Sequence, residues 1–133
     1  MNRFVNVAFL FSLVLLLASC RRDLETPVDG VYVGTFKVIY PTESFDGTTR
    51  VTLENGRYEC EGNDERLPAG GSGEYNVKKR TILFVDENSW TADFDWNRVL
   101  GGEDGFTFDG KTLKLVNDRT GVGYYEYILE LQE

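Results

Sequence analysis

The chain has 133 residues, 41% hydrophobic and 27% charged, a balance that suits one folded domain and not a disordered chain. Its 14 basic against 22 acidic residues leave a formal charge of -8, so the basic footprint that duplex nucleic acid requires is missing. It contains no histidine, which excludes Ser-His-Asp and Cys-His catalysis, HExxH zinc sites and imidazole-based pH switching.

The first segment carries an address. Arg3 is a short basic region, and residues 4–17 are apolar except for Asn6 and Ser12. Small Ala18 and Ser19 follow, then Cys20. This is the layout of a secretory signal peptide. The apolar run is too short for a spanning helix, which needs about 20 residues. Leu17-Ala18-Ser19-Cys20 resembles the lipobox of bacterial lipoproteins, in which the cysteine takes a diacylglycerol thioether and becomes the first residue after cleavage. Lipid chains anchor at about 0.8 kcal/mol per buried methylene, and stable attachment takes more than one. Three segments follow from this reading: a signal peptide over residues 1–19, a lipidated Cys20 and tether over 20–29, and a folded domain over 30–133. The processed chain would carry 13 basic and 22 acidic side chains in 114 residues.

Cys20 and Cys60 are the two cysteines. With Cys20 committed to lipid, Cys60 is expected to be an unpaired thiol. It alternates with Tyr58 toward the apolar face, and its neighbours Glu59 and Glu61 disfavour a thiolate.

From Gly30 onward, short alternating segments are separated by Gly-containing turns. Residues 31–40 read as a strand ending at Pro41. Residues 48–53 alternate, with Thr49, Val51 and Leu53 on one face. Asn55-Gly56 is a strong hairpin signal, because both turn positions need φ > 0. Residues 57–61 return, and 62–72 read as a Gly-rich loop. Residues 73–77 and 81–85 form the next pair around the basic turn Lys78-Lys79-Arg80. Residues 87–97 are irregular, with room for one helical turn before Leu100. Residues 106–108, the Asp109-Gly110 turn and residues 111–116 form another hairpin, and 117–123 read as a flexible turn. Residues 124–131 close the chain, with Tyr125, Tyr127, Leu129 and Leu131 on one face. No segment sustains a helical apolar stripe for three turns. Eight or nine short strands predict an all-β, antiparallel barrel or sandwich; hairpin connections favour an up-and-down meander barrel, which removes exposed sheet edges by closing.

Candidate chemistry is sparse. Asp86-Glu87-Asn88, Asp93, Asp95 and Glu103-Asp104 supply hard oxygen ligands of the kind calcium takes, but without a DxDxDG loop they read as turn caps or a solvated acidic rim, and Asp93, Asp95 and Glu103 lack the cleft that paired glycosidase carboxylates need. The run Ala69-Gly70-Gly71-Ser72-Gly73 lacks the Lys-Ser/Thr ending of a phosphate loop and reads as a flexible connection. Trp90, Phe94 and Trp96 would share a face in an extended stretch, either plugging the core or lining a pocket. Trp96, ahead of Val99 and Leu100, is the expected plug, and Trp90, among polar neighbours, the expected pocket residue.

Five segments carry a family likeness: Gly30-Val31-Tyr32-Val33-Gly34-Thr35-Phe36, Gly56-Arg57-Tyr58-Glu59-Cys60, Trp90-Thr91-Ala92-Asp93-Phe94-Asp95-Trp96-Asn97, Phe106-Thr107-Phe108-Asp109-Gly110-Lys111 and Gly123-Tyr124-Tyr125-Glu126-Tyr127. Together they resemble small lipocalin-like lipoproteins of Bacteroidetes. The resemblance implies an eight-stranded meander barrel on an envelope membrane, and it brings no catalytic residue or cofactor with it. The acidic cluster that often follows the cysteine in surface-exported members is diluted here to Arg21-Arg22-Asp23-Leu24-Glu25, so the periplasmic and surface faces both stay open.

The expectation is therefore a non-enzymatic lipoprotein of the bacterial cell envelope, anchored at the outer membrane, with no cofactor, no metal and no nucleic-acid partner. Its barrel would hold a small apolar or amphipathic ligand, with Trp90, Phe94, Trp96, Tyr125 and Tyr127 as the candidate lining. The alternative is a side-chain-filled barrel serving as a protein-interaction module, an inhibitor or accessory subunit of an envelope complex.

Overall fold

The computed structural model describes residues 25–133. The signal segment and the proposed lipid site Cys20 lie outside them. Eight strands run through the described residues: β1 (Gly30–Ile39), β2 (Ser44–Glu54), β3 (Arg57–Cys60), β4 (Gly71–Val77), β5 (Thr81–Asp86), β6 (Gly102–Phe108), β7 (Thr112–Arg119) and β8 (Gly123–Leu131). Each pairs antiparallel with the next, and β8 returns to β1, with Tyr32 opposite Leu131 and Ile39 opposite Tyr124. The protein is thus an all-β, closed, up-and-down barrel of eight strands, as the alternation predicts. A single 3-10 turn, Trp96–Arg98, is the helical element among the described residues, none of which forms a helix long and apolar enough to cross a membrane.

Period-two patterning decides which side chains go inside. Tyr32, Phe36 and Val38 from β1, Val51 and Leu53 from β2, Ile82 and Phe84 from β5, and Leu113, Leu115 and Leu129 from β7 and β8 are almost fully buried. Each such side chain contributes about 1.5–3 kcal/mol of burial. Edge-to-face contacts of Tyr32 with Phe108 and of Tyr58 with Phe84 interlock the layers. Most of the barrel interior is therefore filled.

Several boundaries differ from the sequence reading. β2 begins at Ser44 and β6 at Gly102, each four residues earlier than expected, and β7 runs on to Arg119, which leaves residues 120–122 for the turn. The glycine-rich run is not a flexible connection. Gly71, Ser72 and Gly73 belong to β4, and a Cβ at Gly73 would lie 1.9 Å from the Val85 carbonyl oxygen. The neighbouring strand occupies the space a side chain would need, so these glycines serve close packing.

The connections alternate between the two ends, and both long ones fall at the end that also carries the short turns at residues 40–43 and 120–122. One end carries Asn55-Gly56, residues 78–80 and residues 109–111, all tight turns. Asn55 and Gly56 take φ of 51° and 77°, the left-handed pair a two-residue hairpin requires. Asp109 Oδ1 accepts from the backbone N–H groups of Lys111 and Thr112, which closes its turn. The segment ahead of β1 lies across this end: Tyr32 donates to the Val28 carbonyl, and Asp29 accepts from the Asn55 amide. The opposite end carries the long connections, residues 61–70 and 87–101.

Candidate functional site

The long loop over residues 87–101 is not extended, so the shared face expected for Trp90, Phe94 and Trp96 does not form. It is shaped instead by hydrogen bonds from barrel tyrosines. Tyr40, just past β1, and Tyr125, on β8, both donate to Asp95 Oδ2 at 2.6 Å. Asp95 Oδ1 accepts from the Asn97 backbone and side-chain amides, which caps the 3-10 turn. Arg98 Nε donates to the Tyr40 hydroxyl at 3.0 Å. Further along, Tyr58 donates to the Leu100 carbonyl at 2.5 Å, while Leu100 N–H donates to Gly70. Partial burial pushes the Asp95 carboxyl upward, but the bonds from Tyr125, Tyr40 and Asn97 outweigh it and hold the group below its ordinary value. Asp95 is a latch. Asp93 points elsewhere, exposed beside Thr91 and Arg66, so the two carboxylates do not converge.

Under this latched loop the barrel is not completely filled. A cavity of about 290 Å³ opens between the loop and strands β6, β7 and β8. Trp90, Trp96, Tyr125 and Tyr127 line it, with Asp86, Asp104, Asn117 and Arg119 as the polar wall. Four of the five aromatic residues singled out in the sequence thus meet at one cavity. Phe94 does not line it; it stands behind, edge-on to Trp90 and under the Arg66 guanidinium.

The roles of the two tryptophans differ from expectation. Trp96 is 57% exposed and donates through Nε1 to the Thr91 carbonyl, so it is a rim residue and not a core plug. The residues meant to draw it inward, Val99 and Leu100, are themselves buried, but the 3-10 turn rotates Trp96 outward. Trp90 is half-buried, and its Nε1 donates to Asp86 Oδ2 at 2.5 Å.

The wall of the cavity carries two buried polar groups, Asp104 and Tyr127. Asp104 is only 4% exposed, with the Asn117 side chain as its hydrogen-bonding neighbour and no ion pair among the described residues. Burial pushes its carboxyl up to about 7, with Asn117 and Arg119 on β7 opposing in part. Tyr127, 3% exposed, has a hydroxyl with no hydrogen-bond partner among the described residues. It faces the Cys60 thiol, which is free and buried as its alternation with Tyr58 predicts; burial pushes that thiol up to about 12, which suppresses the thiolate.

The sequence reading counts Asp104, with Glu103, in a solvated acidic rim, although a signal for its burial exists. Phe106 and Phe108 alternate inward, and one more step back along the strand places Asp104 on the same face. Starting the strand at Phe106 hid that step.

A wider depression of about 750 Å³ lies on the outside, over Thr52, Glu59 and Ser72 and beside Trp90. It exists because β3 is short and β4 begins with small residues. It is more open than the cavity under the loop and, among the described residues, holds no buried unpartnered group. No family model, no curated protein and no solved structure matches this chain.

Proposed function

We propose that this protein is a lipid-anchored lipoprotein of the bacterial cell envelope, attached through Cys20, whose barrel binds a small amphipathic ligand at its loop end without catalysing a reaction. The observation that carries the ligand reading is the cavity under the latched loop, with aromatic walls, a buried Asp104 carboxyl that has no ion pair among the described residues, and a Tyr127 hydroxyl left unpartnered. Buried polar groups normally have partners, and an unpartnered one is costly, so such groups facing a cavity are a reason to look for a ligand. At about 290 Å³ the cavity lies at the low end of ligand sites, which span about 300–1,000 Å³, so the ligand is of fragment size.

Residues 25–29 and the cavity sit at opposite ends of the barrel. Residues 25–29 leave the barrel at the tight-turn end, so a membrane-attached Cys20 would present the loop end away from the bilayer. Membrane, small ligand and cavity then have a consistent geometry on either face of the envelope.

The interaction-module reading keeps support from two observations: the interior is mostly filled, and exposed Ile39, Phe45, Trp96 and Val122 belong to the loop end or border its turns. One experiment separates the readings. Full-length protein labelled at the tryptophan indole nitrogens is titrated with fragment-sized aromatic compounds. Saturable shifts of the Trp90 and Trp96 indole resonances, lost in Trp90→Ala, are expected; no shift with any compound would overturn ligand binding. For the anchor, Cys20→Ala is expected to abolish palmitate labelling of the chain, and equal labelling of both forms would overturn lipidation.

A further inference from the structure

The polar wall of the cavity narrows the chemistry of its ligand. Asp86 and Asp104 both line it, but they are in different states. The Asp86 carboxylate already accepts from the Ser72 amide, Asn88 and Trp90. Asp104, only 4% exposed, has the Asn117 side chain as its hydrogen-bonding neighbour and forms no ion pair among the described residues.

The groups around Asp104 come from every wall. Asn117 and Arg119 approach from β7, Tyr125 and Tyr127 from β8, and Asp86 from β5, while Tyr58 on β3 and the latch carboxylate Asp95 lie nearby. The cation among these is Arg119, which is itself exposed at the mouth. Two carboxylates against one peripheral guanidinium leave the deep part of the cavity negative. The indoles of Trp90 and Trp96 and the Tyr125 ring supply π faces that attract cations as well as apolar groups.

We propose that the cavity takes a small amine, its cationic nitrogen seated against the Asp104 carboxylate and its apolar body against Trp90, Trp96 and Tyr125. This rests on the ligand-binding reading above and adds the charge of the ligand. An ammonium has three donors and no acceptor, which matches a buried carboxylate without an ion pair and the unpartnered Tyr127 hydroxyl oxygen on the same cavity wall. A buried carboxylate alone is unfavourable, and pairing it with a cation that also donates hydrogen bonds removes the penalty. A carboxylate-bearing ligand would instead have to lie beside Asp104 and reach outward to Arg119.

Three compounds of one shape separate these cases: phenethylamine, neutral 2-phenylethanol and anionic 3-phenylpropionate. Each is titrated by calorimetry and by tryptophan quenching into the full-length chain in lipid nanodiscs, at pH 8 and at pH 5.5. Phenethylamine is expected to bind at least about tenfold more tightly than the other two at pH 8. Its affinity is expected to fall by about tenfold or more at pH 5.5, because the amine stays charged while the Asp104 carboxylate is depleted. Asp104→Asn should remove that preference and leave 2-phenylethanol binding intact, whereas Glu103→Gln, on the outer face, should change nothing.

Equal affinity for amine and alcohol, tighter binding of the propionate, or an unchanged amine affinity in Asp104→Asn would overturn the amine assignment while sparing the pocket. Failure of all three compounds to bind would overturn both. The ligand comparison and the pH dependence use the wild-type chain, so they decide the question even where the variant fails to fold.

Discussion

The two ends of this barrel are built from the same eight strands and yet follow different rules. At the tight-turn end, the connections are two or three residues long, the interior is filled by Tyr32, Phe108 and Leu113, and the incoming chain is stitched across by Tyr32 and Asp29. At the loop end, the interior side chains turn polar at Asp104, Tyr125 and Tyr127, and a loop of fifteen residues, 87–101, is held down by hydrogen bonds together with buried Val99 and Leu100. Apolar side chains fill one end, and the cavity lies at the other. The contrast is physical: apolar contacts tolerate no gap without loss, whereas a hydrogen-bonded loop can roof a cavity.

Four measurements can break or sharpen this contrast. The largest effect is expected from Phe108→Ala at the packed end. Its ring is buried against Tyr32, and its removal is expected to cost about 3–5 kcal/mol, read by denaturant unfolding. A cost under about 1 kcal/mol would show that this end is not the stable one.

Asp104→Asn comes next and has the opposite sign. The folded carboxyl titrates near 7 against an ordinary 3.8, so between those values the native state binds more protons than the unfolded one. Stability of the ligand-free protein should therefore fall as pH rises from about 4 to 7 and level off above. The penalty at pH 8 is of order 3 kcal/mol, and Asp104→Asn should recover most of it and flatten the profile. A wild-type profile without that fall would remove the buried carboxyl from the picture.

Asp95→Ala tests the latch. It leaves the Tyr40 and Tyr125 hydroxyls without their shared acceptor, at an expected cost of about 2 kcal/mol, with faster proteolysis within residues 87–101. Because the Asp95 carboxyl is held below its ordinary value, the latch contributes fully above about pH 4 and is lost as pH falls further. Cleavage confined to other segments would place the weak point elsewhere.

The smallest effect is expected for Trp96→Ala. The ring is more than half exposed, so its removal should cost under about 1 kcal/mol, clearly less than Trp90→Ala, which loses half-buried packing and the bond to Asp86. Thermal unfolding of the two variants gives the comparison directly, and the reverse order would return Trp96 to the core.

Much of this arrangement was legible in the residues. Alternation identified the strands and most inward positions, Asn55-Gly56 and Asp109-Gly110 marked their hairpins, and the absence of a helical stripe left an antiparallel barrel as the economical closure. These signals are local, because a strand's period and a turn's φ angles depend on neighbours within a few residues. Tertiary structure decided the rest. Whether a carboxylate is a solvated rim group or a latch depends on tyrosines 55 and 30 positions away, as for Asp95 with Tyr40 and Tyr125. Whether a tryptophan plugs or rims the barrel depends on how a hydrogen-bonded loop turns it, and whether Gly71 to Gly73 bend freely or pack tightly depends on the Leu100 and Val85 carbonyls that meet them. Burial is a property of the closed barrel, and so is the environment that sets Asp104 apart from the other acidic residues of this chain.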